Sequence, residues 1–370
     1  MKYLSNEQVI YLQIDHNSTC NLRCPQCART HNGETHPDLP LLELTVKDYE
    51  KFIPYLPNLE TVMWCGNYGE VIVSETFLEC LRYVIDNTSA TIIITTNGSA
   101  RNKKWWEELA IILKGRGKVN FSIDGLEDTN LIYRVNSKWN KIVENAQAFI
   151  NAGGRARWDY LVFGHNEHQV DDAVEIARNM GFKQFQIKLT NRFVNDQQYT
   201  AGGEAHDQNV KTRRSEYILN MPRNPNYQGS GKTQNQEIIE KYGSWSNYVN
   251  TTPIKCKWQP NGQLFIDFEA RVWSCTWTAS GYHHYGENTQ KTQALKLFDR
   301  YGKDFNSLHK YSIRDILNND YFGRDFCASW QGTMDDEVPK LLACGRTCGT
   351  DYEFSSVHGS NKKVINLKEF

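Results

Sequence analysis

The amino-acid sequence predicts an α/β fold: six strand-and-helix units forming a parallel sheet, followed by a small cysteine-bearing α+β unit. Three observations lead there. Short β-branched runs alternate with stretches of helical spacing as far as residue 189. Polar residues recur just after each apolar run, where sites lie in barrels of such units. Five of the ten cysteines fall after residue 250, beyond the last of these units.

The elements follow in order. An apolar run over 9–14 predicts the first strand. Residues 41–55 are amphipathic and predict a helix beginning near Leu44 or Thr45. Residues 59–64 form a short strand that runs into the glycine-containing turn CGNYGE. Phe77, Leu81, Val84 and Ile85 have helical spacing and predict a helix over 76–87. The run TIIIT at 91–95 predicts a strand buried on both faces, ending at the turn signal Asn97-Gly98. Helices are expected over 105–113, 139–152 and 170–180, the last two closed by Gly153-Gly154 and Gly181. Strands are expected over 118–123, 157–163 and 185–189. From 196 to 253 the chain is polar and rich in Gly and Asn, which reads as a linker or as a loop ordering over substrate.

Composition bounds the function. Lys and Arg number 42 against 43 Asp and Glu, so bulk charge gives no reason to expect a nucleic-acid partner. No run of about 18 apolar residues predicts a membrane span. MKYLSNEQVI lacks the apolar core of a secretory signal, and ten cysteines then point to a reducing cytoplasm and to metal more than to disulfides.

Cys20, Cys24 and Cys27 stand at x3 and x2 spacing directly after the first strand. Three thiolates on one loop can hold three corners of a metal cluster and leave the fourth open. A closed zinc site would want a fourth ligand, and His16 lies on the strand side. A zinc knuckle, a structural Fe–S site and three unrelated buried thiols are the competing readings.

This motif resembles the signature of the radical S-adenosylmethionine (SAM) superfamily. The resemblance implies a partial (β/α)6 TIM-like barrel in which Cys20, Cys24 and Cys27 hold a [4Fe–4S] cluster whose fourth iron chelates SAM. It implies that Gly66, Asn67, Gly69 and Glu70 receive the SAM amino group, although here Tyr68 is inserted and no proline follows Glu70. Asn97 matches the family's Thr-Asn-Gly. Ser122 and Asp124 stand where strand ends contact the SAM ribose, and Lys188 and Arg192 where cations neutralise its carboxylate. Gln26 replaces the aromatic residue common before the third cysteine. His165, Asn166 and His168 either face substrate or belong to a solvated loop. No side chain is assigned a catalytic role of its own. The resemblance also implies an electron donor such as flavodoxin or ferredoxin.

The expected boundaries are 1–195 for the barrel, 196–253 for the linker or substrate loop, 254–350 for the second unit and 351–370 for a tail. Within the second unit, 263–268 and 271–273 predict a hairpin turning at Glu269-Ala270. It resembles a twitch/SPASM-like Fe–S domain. The spacing Cys-x(9–15)-Gly-x4-Cys is met with Ala270 in the glycine position. A second [4Fe–4S] cluster on Cys256, Cys275, Cys344 and Cys348 is implied, with Cys327 as alternative ligand; a four-thiolate zinc site competes. Cys65 and Cys80 read as buried thiols. The substrate expected is a peptide, with a small polar molecule such as a sugar or aminocyclitol as the alternative. A zinc-stabilised binding module is the non-enzyme reading.

Overall fold

The computed structural model describes residues 1–25, 27–31, 33–190, 198–200, 218–228, 231–283, 288–351 and 362–367. Six strands lie side by side in chain order and all parallel: β1 (Tyr11–Ile14), β2 (Thr61–Cys65), β3 (Thr91–Thr96), β4 (Gly117–Ser122), β5 (Ala156–Val162) and β6 (Gln184–Leu189). Between β2 and β6 run α1 (Phe77–Asn87), α2 (Lys103–Leu113), α3 (Trp139–Asn151) and α4 (Val170–Met180). Each follows the apolar spacing that predicts it. Asn102 caps α2 by accepting from Trp105 N, and Gly181 ends α4 at φ 93°, a conformation that favours glycine.

The sheet continues beyond residue 195. β7 (Gln263–Ile266) pairs parallel to β1, and β8 (Val272–Trp273) returns antiparallel beside β7, as the predicted hairpin. β9 (Lys362–Asn366) pairs antiparallel with β6. The order is β8-β7-β1-β2-β3-β4-β5-β6-β9, an open sheet whose two edge strands both come from late in the sequence. One core joins residues from Tyr3 to Cys344.

The two faces of the sheet differ. Val62, Trp64, Ile92, Ile94, Val119, Phe121, Trp158, Tyr160, Phe185 and Ile187 are buried in that core with the helices. Each such side chain contributes about 1.5–3 kcal/mol by leaving water. Their neighbours Met63, Cys65, Ile93, Thr95, Lys118, Asn120, Arg157, Asp159, Gln186 and Lys188 take the opposite face, because successive side chains in a strand alternate. β3 is therefore buried on one face only, with Ile93 and Thr95 half-buried. The β-branched run fits a two-sided strand and a one-sided one equally well.

Elsewhere the segment expected as a helix over 41–55 holds one turn, Val46–Tyr49, capped by Thr45 and Asp48, and a 3-10 turn at Ile53–Tyr55. Pro54 cannot donate within a continuing helix. Much of the expected linker, 191–197, 201–217 and 229–230, lies outside the described residues, but 231–242 and 245–251 are helical. No helix among the described residues is long and apolar enough to cross a membrane.

Candidate functional site

Cys20, Cys24 and Cys27 lie on the loop leaving the carboxyl end of β1. Cys27 N donates to Cys24 O at 3.0 Å, Thr30 N to Cys27 O at 3.0 Å and Leu22 N to Cys20 Sγ at 3.3 Å, which curls the loop on itself. Cys24 is buried and the other two are half-buried. Around them pack Leu22, Tyr133, Phe163 and Leu219, with Leu161 and Met221. Burial pushes the Cys24 thiol up to about 11, opposed by the guanidinium of Arg134, whose Nη1 stands 3.9 Å from Cys24 Sγ. Burial likewise raises Cys20, and the charges of Cys24 and Cys27 add to it. Three thiols close enough to feel one another, in an apolar surround with one cation, fit a cluster that takes up thiolates as it binds. Gln26 lies outside the described residues.

The turn after β2 fits against this loop. A Cβ on Gly66 would lie 1.9 Å from Gly69 O, and one on Gly69 would lie 1.8 Å from Asn17 O. Glu70 is buried; Oε2 accepts from Asn97 N at 2.7 Å, and its own N donates to Thr19 O at 2.7 Å. Burial raises its carboxyl. Glu70 thus ties the turn to the end of β3 and to the cysteine loop. Asn97 Nδ2 donates to Asn21 Oδ1 at 3.0 Å and stands 4.0 Å from Cys20 Sγ. Asn67 N donates to Asp15 Oδ1 at 2.7 Å, and Asn67 O lies 3.9 Å from Cys27 Sγ.

At the later strand ends, Asp124 is buried and accepts from Leu161 N at 2.7 Å and Arg134 Nε at 2.6 Å. Burial raises its carboxyl against the pull of Arg134. Asp124 therefore holds Arg134 beside Cys24. Ser122 pairs in register with Asp159. Lys188 Nζ lies 2.5 Å from Asp159 Oδ2, so that carboxylate already engages the charge expected to meet SAM. Arg192 lies outside the described residues. Asn166 is a turn residue, donating to Asp124 O and Leu161 O and accepting from Phe163 N. His165 stacks on Phe163 at 5.3 Å, and burial lowers its imidazole to about 4. His165 and His168 border a cavity of about 600 Å³ with Glu167, Asn220, Met221 and Arg223.

The later cysteines also gather. Cys256 and Cys348 share a hydrogen bond that favours the Cys256 thiolate and holds that thiol below its ordinary range. Cys344 is raised by burial and by the charges of Cys275, Cys256 and Cys327. Gln259 N donates to Cys256 Sγ at 3.4 Å and Gln259 Nε2 to Cys327 Sγ at 3.9 Å. Five thiols thus share one neighbourhood, Cys327 included. Among the described residues no three His, Cys, Asp or Glu side chains are set to ligate a single metal ion. Cys80 is buried, as expected, whereas Cys65 is half-buried on the sheet face away from the helices.

Besides Arg134, three contributors were not legible in the motifs. Tyr3, buried, donates to Ser274 O at 2.9 Å and faces Cys256, Cys275 and Cys344. Arg29, also buried, donates to Tyr68 O, Leu22 O and Ser18 O, stapling the cysteine loop to the glycine turn. The inserted Tyr68 donates to Ser280 O at 3.0 Å and packs on Phe268 and His283, while Asn67 Nδ2 donates to Thr276 Oγ1 at 2.7 Å. A buried Arg two residues past a cysteine motif is the only local signal among them.

A sequence model of the Radical SAM superfamily matches residues 14–188. Over 118 residues the chain is 34% identical to the tungsten-containing aldehyde ferredoxin oxidoreductase cofactor-modifying protein of Pyrococcus furiosus; the match covers 31% of this chain and 31% of that protein. The structure of Streptococcus suis SuiB bound to precursor peptide SuiA aligns with a TM-score of 0.50 at 14% identity, over 85% of this chain and 66% of SuiB, just under two thirds. That of anSMEcpe with bound AdoMet aligns with a TM-score of 0.47 at 13% identity, over 90% of this chain and 94% of the other. At these identities the structural likeness is one of fold. The three-thiol loop, the glycine turn and the strands β2 to β5 fall within the matched span, and residues 14–188 are similar to the radical SAM superfamily.

Proposed function

We propose that the protein is an enzyme that reductively cleaves S-adenosylmethionine and abstracts hydrogen from a peptide. The observation that carries this reading is the convergence of Cys20, Cys24 and Cys27 on one loop, braced by the Gly66–Glu70 turn. A [4Fe–4S] cluster and SAM held there would supply radical chemistry able to attack an unactivated C–H bond. The chain's own part is to hold and orient. Cys20, Cys24 and Cys27 ligate; Arg134, fixed by Asp124, offsets the charge of the thiolates; backbone around Gly66 and Gly69 offers carbonyls to an ammonium. Leu22, Tyr133 and Phe163 keep water from the loop.

Support for a peptide substrate is the fold shared with SuiB, which is seen with its precursor peptide. The five later thiols support an auxiliary Fe–S cluster, with a small redox protein as electron donor and the cytoplasm as the compartment. The test is iron and sulfide content after anaerobic purification, with a dithionite-plus-SAM assay for 5′-deoxyadenosine. About eight irons with cleavage supports both sites, about four supports the first alone, and none refutes the reading.

A further inference from the structure

The sheet face away from the helices carries charge where a closed barrel would carry packed aliphatic side chains. Strand register sets its residues in adjacent rows. Cys65, Thr95, Asn120 and Arg157 form one row; Ser122, Asp159 and Gln186 form the next; Leu161 and Lys188 pair in the row above. The single carboxylate of Asp159 serves two cations. Arg157 Nε meets Oδ1 at 2.6 Å, Arg157 Nη2 meets Oδ2 at 3.0 Å and Lys188 Nζ meets Oδ2 at 2.5 Å. A third cation, Lys118, is near enough to be repelled by Arg157 and attracted by Asp159. Positive charge is left over.

The neighbouring carboxyls do not cancel it. Asp124 is paired with Arg134 at 2.6 Å, and burial raises the Asp15 carboxyl, which favours its neutral form. Amid this charge two amide oxygens, Asn120 Oδ1 and Gln186 Oε1, are enclosed with no hydrogen-bond donor among the described residues; Asn120 is 1% and Gln186 4% exposed. Buried acceptors without donors are costly and rare. Surplus cations and waiting acceptors together describe a ligand with a carboxylate and an N–H group. The place suits a reacting group: Leu161 packs against the apolar cluster that includes Cys24, and Asp159 is two residues back along β5, about 7 Å at the rise of a strand.

Resting on the functional reading above, we propose that this face is the floor of the substrate site and binds a carboxylate set beside an amide N–H, from either the C-terminus or an acidic side chain of a peptide. Lys188 and Gln186 are its specificity-determining residues. Lys188, which shares the one Asp159 carboxylate with Arg157, receives the carboxylate, and Gln186 and Asn120 accept from the amide.

Calorimetric titration of the purified protein tests this with three probes: N-acetylalanine, N-acetylglutamate N-methylamide and the uncharged N-acetylalanine N-methylamide. One of the two acids should bind at least about tenfold more tightly than the uncharged probe, and which one does so identifies the source of the carboxylate. Lys188→Met should weaken the acid about tenfold, while Lys188→Arg stays within about threefold of the parent. Gln186→Leu, which leaves the charges alone, should weaken acid and uncharged probe alike. Equal binding of all three probes, no binding of either acid up to about 10 mM, or variants that bind like the parent would overturn the proposal. Iron content and SAM cleavage, measured on the same preparation, separate the two ideas. Cleavage without acid preference defeats this inference alone; acid preference without iron or cleavage defeats the radical SAM reading and leaves the carboxylate site standing.

Discussion

His16 shows how a residue near a metal motif can be occupied elsewhere. Its Nδ1 lies 3.0 Å from Tyr49 Oη and its Nε2 3.0 Å from Ser74 Oγ, and burial lowers the imidazole from 6.5 to about 3. Because the folded protein favours neutral His16, its contribution is fully present above pH 6.5 and is lost as pH falls toward 3. The difference in urea stability between parent and His16→Gln should therefore shrink across that window, with a slope approaching about 1.4 kcal/mol per pH unit. A constant difference would refute it. Gly69 offers a second check. With Asn17 O 1.8 Å from where a Cβ would sit, Gly69→Ala should cost about 3 kcal/mol by urea unfolding, since backbone and not a flexible side chain must move. At this scale the sequence is most legible where chemistry is local. Cys20, Cys24 and Cys27 announce themselves by spacing. Arg134 and Tyr3 do not, because their partners lie 110 and more than 250 residues away.

Among the elements, those whose signal is periodic were legible: α1 to α4 and β2 to β6 fall within two residues of where apolar spacing puts them. Elements set by long-range pairing were not. β9 exists because Lys362–Asn366 finds the edge of β6, which no local pattern announces. The hairpin was foreseen, but that β7 joins the main sheet beside β1 was not. Ala270 sits in the turn at φ 56°, where the resemblance expects glycine. Left-handed backbone strains alanine, yet its methyl is buried. Ala270→Gly should thus change stability by under about 1 kcal/mol, while Ala270→Val, β-branched at positive φ, should lose more than about 2 kcal/mol. Thermal melts of the two variants would show whether the turn or the packing dominates; equal losses would contradict the assignment.

Across the whole molecule, the two thiol groups sit in separate apolar clusters, one around Cys24 and one in the main core with Cys344, and differ in how they should respond to loss. Cys24→Ala should abolish 5′-deoxyadenosine formation. Cys344→Ala should remove part of the iron and leave SAM cleavage detectable, and complete loss of iron would contradict two separate sites. The groups are nevertheless joined. Thr276, the residue after Cys275, accepts from Asn67 Nδ2 at 2.7 Å, and Asn67 O stands 3.9 Å from Cys27 Sγ. This short bridge bears on maturation. A cluster entering either thiol group would act on the backbone that frames the other, so the two uptakes would be coupled. In Asn67→Ala the link is cut, and iron uptake followed over time should change from one concerted phase to two independent ones.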